Sequence, residues 1–395
     1  MTPLEQVREI LVRHVAQEQR LRNLLYSLEN SPDPDPQPDP QPDPDPQPDP
    51  QPDPDPDPDP DPQPDPVPTS GIWTSAEELA RLPRSGPLWE NVVKHADRTF
   101  EEPDLDNHSE DANCLALANA LVFARTGSSK YRDKAILYCE RAIGGEGNKR
   151  TLGLARKLCA YILSADLVKL PSDVDGKFRE WVDKVRFKEL GGKTLISTHE
   201  IRPNNWGTSA GASRIAAALY LDDMEDLTKA ATVFKGWLGD RNAYAGFRYK
   251  DVDEWQFDPK RPVGINPALA TKNGHIIDGV LPDDMRRAGG FRWPPPKENY
   301  VWGALQGVVA QAVMLERAGY SDVWQWSDGA ILRAFQWLYE VAGHKAEEFG
   351  GDDVHMLPVI DRVYGTNYWD GEPCEMGKTV AFTDWTHGGA SRRDE

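Results

Sequence analysis

Every second residue from Pro32 to Pro68 is proline, and the residues between are mostly Asp and Gln. Proline fixes φ and lacks an amide proton, so such a run cannot supply the hydrogen bonds of helix or sheet. It also has nothing apolar to bury. It reads as an extended, solvated polyproline II-like linker, on the order of 110 Å long if straight at ~3.1 Å per residue. The run divides the 395-residue chain into an N-terminal segment over 1–30, a linker over 31–69 and one large domain over 70–395. Twelve aspartates in the linker carry well over half of the formal net charge of −19, so the acidity belongs to the linker. Nucleic acid is not an expected partner, because phosphate binding requires a basic face.

Residues 4–29 carry a heptad stripe of Leu4, Val7, Leu11, His14, Glu18, Leu21, Leu25 and Leu28. This predicts an amphipathic helix that self-associates or docks as a short coiled coil, with His14 and Glu18 interrupting the seam. The alternative is a lone helix packed on the main domain. A coil, a stiff linker and an enzyme-sized domain in series suggest a tethered protein. The opening residues lack a basic stretch followed by an apolar one, so no secretory leader is expected. No apolar run reaches eighteen residues, so no membrane insertion is expected. Attachment to a virion and non-classical export are the locations this pattern fits.

The large domain is long enough to bury one substantial core. Helical periodicity dominates it, in amphipathic runs at 88–96, 112–125, 130–143, 152–167, 177–185, 209–221, 227–238, 301–318 and 330–341. Thr74 to Glu78 offers a capping box. The fold class is therefore all-α, and paired antiparallel helices fit an α/α-toroid, an incomplete barrel of helical hairpins around a central cleft. Long Trp-, Pro- and Gly-rich segments at 244–267 and 289–299 read as ordered loops that carry function. The four cysteines, Cys114, Cys139, Cys159 and Cys374, show no metal-ligand spacing and read as buried free thiols. No H-x-x-H or C-x-x-C pattern occurs, so no metal and no cofactor is expected.

Three segments carry chemistry: Arg202-Pro203-Asn204-Asn205-Trp206-Gly207, Asp278 through Arg287, and Tyr300 at the head of an apolar helix. Paired amides, guanidiniums and a phenol are what the abstraction of a uronic acid's C5 proton needs. Donors must disperse the charge that builds on the neighbouring carboxylate. Asn204 and Asn205 supply amides, and Arg286, Arg287 and Arg292 supply charge-assisted or bidentate bonds. Tyr300 is the candidate base, since a nearby guanidinium favours an ionised phenol. Among thirteen tryptophans, Trp255, Trp293, Trp369 and Trp385 lie in loops and, with Trp206 beside the Asn pair, suit stacking on sugar rings. Trp324, Trp326 and Trp337 fit the core. Each signal also has a structural explanation: an N-cap for the Asn pair, ion pairs with Asp283 and Asp284 for the Arg pair, and an interfacial tyrosine.

The run from Asp278 to Arg287, then Tyr300-Val301-Trp302-Gly303-Ala304-Leu305, then a helix ending Arg317-Ala318-Gly319, resembles alginate lyase-like polysaccharide lyases of the α/α-toroid fold. The resemblance implies an acidic polysaccharide substrate of the alginate or glucuronan class. It implies Asn205 as carboxylate neutraliser, Arg287 as the guanidinium beside the base, and Tyr300 as base or acid. Where that family has a histidine after the Asn pair, this chain has Trp206. His275 is the preferred substitute, ahead of His199, His355 and His387. The interval from Arg287 to Tyr300 is also longer, which leaves Arg292 as a second partner for the phenol. Two other readings compete. A glycoside hydrolase would need a carboxylate pair drawn from Asp283, Asp284, Asp352, Asp353 and Asp384. A tethered adhesin on an inactive lyase scaffold would bind the polymer and leave it intact.

Overall fold

A computed structural model of the protein describes residues 71–388. The helix expected over 4–29 and the proline-rich linker lie outside the described residues. Helix accounts for 58% and strand for 1% of the structure, which makes the domain all-α. The strands are the two-residue pair Thr271–Lys272 and His275–Ile276.

The longer helices are α1 (Ala76–Arg81), α2 (Pro87–Ala96), α3 (Ala112–Thr126), α4 (Ser129–Ala142), α5 (Thr151–Val168), α6 (Ser172–Val185), α7 (Leu195–Ile201), α8 (Asn205–Leu221), α9 (Met224–Leu238), α10 (Tyr300–Arg317), α11 (Trp326–Gln336) and α12 (Leu357–Tyr364). Helix α1 opens on the capping box read from the sequence, with Ser75 and Glu78 bonding reciprocally. Helices α3, α5, α8 and α10 pack successively against one another as an inner row. Each of the first three is followed, after two or three residues, by an outer helix: α4, α6 or α9. Turns this short make antiparallel hairpins. Each turn begins on a residue in the left-handed region, Gly127, Lys169 or Asp222.

Residue pattern decides which helix goes where. The outer helix α6 buries a stripe, Val174, Phe178, Trp181, Val182 and Val185, and leaves its other face to solvent. The inner helices α5 and α8 are buried on nearly every side, a correction to the amphipathic reading of 152–167 and 209–221. Their small residues explain how they fit. A Cβ on Gly307 would lie 2.6 Å from the Ser209 nitrogen, and one on Gly211 would lie 2.6 Å from the Gln311 side chain. These glycines bring α8 and α10 into close contact. Contacts pair Asn205 with Gly303, Thr208 with Gly307 and Gly211 with Gln311, so the two helices run parallel. Their N-termini therefore open on the same end of the domain.

The four cysteines are buried free thiols. No helix among the described residues is long and apolar enough to cross a membrane.

Candidate active site

The N-terminal ends of α8 and α10 bring together residues from the distant segments. Asn204 caps α8, accepting the Trp206 N–H at 3.2 Å, and donates its amide to Asp283 Oδ2 at 3.0 Å. Gly207 follows because a Cβ there would lie 2.9 Å from the Arg202 carbonyl carbon. The cap and the glycine together aim Asn205 inward, where it is 1% exposed. Its N–H donates to Asp284 Oδ1 at 3.2 Å. Its Nδ2 faces Gly303 on the first turn of α10, 3.7 Å from where a Cβ would stand. That turn begins with Tyr300, whose N–H donates to Glu298 Oε1 at 2.9 Å.

Tyr300 itself is 41% exposed. The Arg287 guanidinium lies over its ring, 4.1 Å from the centroid. Of the three arginines considered for this position, Arg287 is the one on the ring. Arg286 is committed elsewhere, to Asp283 at 2.9 Å and Asp251 at 2.9 Å, so both of its charge partners are structural. Arg292 is exposed, beside Gly289.

Two acids border the group. Burial, reinforced by the charge of Asp283, pushes the Asp284 carboxyl well above the usual range. Burial also raises Glu298, against the opposing pull of the Tyr300 N–H and Arg287. On the other side, Arg156 of α5 is 9% exposed, and burial lowers its pKa while Asp352, Asp353 and Tyr300 pull it back up. Burial lowers His108 as well, followed by the charges of Arg150, Arg156, Lys157 and Lys378. Lys378 pairs with Asp352, and Arg202 lies over the Trp206 ring at 5.3 Å. Charges of both signs thus surround Tyr300: Arg156 and Arg287 on one hand, Asp352, Asp353 and Glu298 on the other.

Three of the histidines considered as substitutes have partners of their own. His275 stacks on Trp293 at 4.4 Å with planes 8° apart, and its other ring neighbour is Phe291. His199 is buried behind Gly211. His355 is buried, with its pKa lowered to about 4 by burial and Nδ1 on the Asp352 carbonyl at 2.9 Å. His387 packs edge-on against Trp73. Among the described residues no imidazole hydrogen-bonds to or stacks on Tyr300 or Asn205.

Three of the loop tryptophans are corrections: Trp369 is 5% exposed, with its indole N–H on the Glu372 carbonyl. Trp255 is 1% exposed, with its indole N–H on the Gly289 carbonyl, and Trp385 is 1% exposed, bonded to the Pro83 carbonyl. All three are core residues, because a loop that folds back over the helices buries its largest apolar side chains. Trp206 and Trp293 remain partly exposed. Trp324, Trp326 and Trp337 are buried.

Arg156, Glu298 and His108 are not singled out by the sequence reading. Arg156-Lys157 was visible as a charged pair inside an apolar helix, and Glu298 as an acid just before a helix start. His108 offered no local signal. No group of three or more His, Cys, Asp or Glu among the described residues could hold a metal ion.

No protein-family model matches the chain, and no curated protein matches it.

Proposed function

We propose that the protein is a polysaccharide lyase that cleaves a uronic-acid-containing polymer, of the alginate or glucuronan class, by β-elimination. In this reading the hairpins form an α/α-toroid whose cleft opens at the N-terminal ends of the inner row. The observation that carries it is the Arg287 guanidinium over the ring of the exposed Tyr300, on the first turn of the same helix that the buried Asn205 amide faces at Gly303, from segments nearly a hundred residues apart.

The chemistry follows from these groups. The sugar carboxylate accepts from Asn205 Nδ2 and Arg287, which stabilise the negative charge that builds as the C5 proton leaves. The step requires Tyr300 as the phenolate, whose oxygen takes that proton and becomes the phenol. The C5–H electron pair forms the C4–C5 double bond while the C4–O bond breaks, and the leaving oxygen takes a proton. In this reading the phenol returns the one it took. Arg156 and Arg202 are cations an acidic polymer could meet, and Trp206 and Trp293 offer partly exposed aromatic faces.

The hydrolase reading has less support. Asp283 is held by Arg286 and Asn204, Asp352 pairs with Lys378, and Asp384 is 0% exposed and accepts backbone N–H groups. The deciding experiment incubates the full chain with alginate, glucuronan and related polymers. Ultraviolet-absorbing unsaturated ends support the lyase. New reducing ends without unsaturation would establish a hydrolase, and binding without either product would establish a tethered binding protein.

A further inference from the structure

Asn205 Oδ1 and Asp284 Oδ2 are both buried oxygens without a hydrogen-bond partner. The two residues already touch through the Asn205 N–H bond to Asp284 Oδ1 at 3.2 Å, and each is 1% exposed. Two acceptors cannot satisfy each other, but one proton between them satisfies both. The groups that face Asp284 are Asp283 beside it, Arg287 one turn on, and Glu298 from the segment before α10. Asp283 is already engaged by Arg286 at 2.9 Å, which leaves Asp284 as the acid of the pair without a cationic hydrogen-bond partner. Burial favours its neutral form.

Resting on the lyase reading, we propose that Asp284 is a positioning residue: it donates from Oδ2 to Asn205 Oδ1 and so turns Asn205 Nδ2 toward the substrate carboxylate. The amide orientation agrees, because Nδ2 is the end that faces Gly303 beside Tyr300. An ionised Asp284 would instead draw Nδ2 to itself. The Asn205 oxygen would then face the sugar carboxylate, two acceptors opposed. The lost interaction is one that strengthens as charge builds in the transition state, so kcat falls more than KM rises.

The test measures kcat and KM against pH for the full chain, Asp284→Asn and Asp284→Ala, reading unsaturated ends. Asparagine keeps a donor and an acceptor but cannot ionise. Asp284→Ala lowers kcat roughly a hundredfold, on the scale of losing one oriented donor. Asp284→Asn restores kcat to within about threefold of wild type, since the bond geometry is kept, and removes any decline of kcat that wild type shows at high pH. Asp284→Asn as slow as Asp284→Ala overturns the proposal, and so does an unchanged high-pH decline.

Urea unfolding against pH supplies a readout without turnover. A carboxyl raised in the folded state contributes stability at low pH that is lost as pH rises through its folded ionisation, so wild type weakens relative to Asp284→Asn as pH rises. That difference without any unsaturated product would sink the lyase reading and keep the proton on Asp284. Parallel stability curves would sink the proton assignment itself.

Discussion

The Arg287 guanidinium covers the face of the Tyr300 ring at 4.1 Å, reaching it from a segment that ends a dozen residues before α10 begins. A cation on the ring face is attracted by the ring's quadrupole and leaves the phenol oxygen at the ring edge unobstructed. The arrangement holds the ring in place while leaving the residue 41% exposed.

Tyr300→Phe removes that oxygen and little else, because the hydroxyl makes no hydrogen bond among the described residues and the ring is 41% exposed. Turnover of the polymer falls at least about a hundredfold, on the scale of a general acid or base, and the thermal midpoint is unchanged. Normal rates in this variant would remove the phenol from the mechanism.

Arg287→Ala lowers kcat/KM by about 10²–10³, the usual effect of deleting a donor to developing charge. Arg287→Lys recovers only part of this, because an ammonium is compact where the guanidinium is planar and forked. Equal rates for Arg287→Lys and wild type would show that the planar cover on the ring is irrelevant.

Gly303 and Gly307 sit one turn apart on α10 and answer oppositely to alanine. At Gly303 the nearest atom to an added Cβ is 3.7 Å away, an ordinary contact, so Gly303→Ala gains up to about 1 kcal/mol from helix propensity. At Gly307 the added carbon meets α8 backbone at 2.6 Å, and Gly307→Ala costs about 1–3 kcal/mol through overpacking. Urea midpoints of the two variants measure this. A stable Gly307→Ala protein would mean that α8 and α10 are not in close contact.

Asp353 gives the fold a pH dependence. Burial, then the Asp352 charge, pushes its carboxyl up from 3.8 to about 7. Its stabilising contribution is therefore complete below pH 3.8 and is lost as pH rises through 7. Asp353→Asn cannot ionise, so its stability relative to wild type rises between those limits, by an amount on the order of a few kcal/mol. Urea unfolding at acid and mildly alkaline pH measures it, and a constant difference would refute a raised Asp353.

The helices were legible in the sequence because apolar spacing reports the local period directly, and most predicted runs match a helix to within a few residues. The pattern did not reveal that α5 and α8 are buried all round, since a small-residue helix such as Ser209 to Ala218 looks amphipathic until a second helix covers its other side. Asn205, Arg287 and Tyr300 were nameable because their residue types suit one chemistry. Arg156 and Glu298 were not, because nothing local distinguishes a charge that packing buries from a surface one.

What the sequence determined by itself is what short-range physics fixes: an all-α domain, from apolar periodicity and caps. Tertiary packing decided the rest. It set Arg287 on the phenol and tied Arg286 to Asp283, turned Trp255 and Trp385 into core, and stacked His275 on Trp293. These outcomes depend on which surfaces meet, and burial and charge pairing act between residues that are distant in the chain.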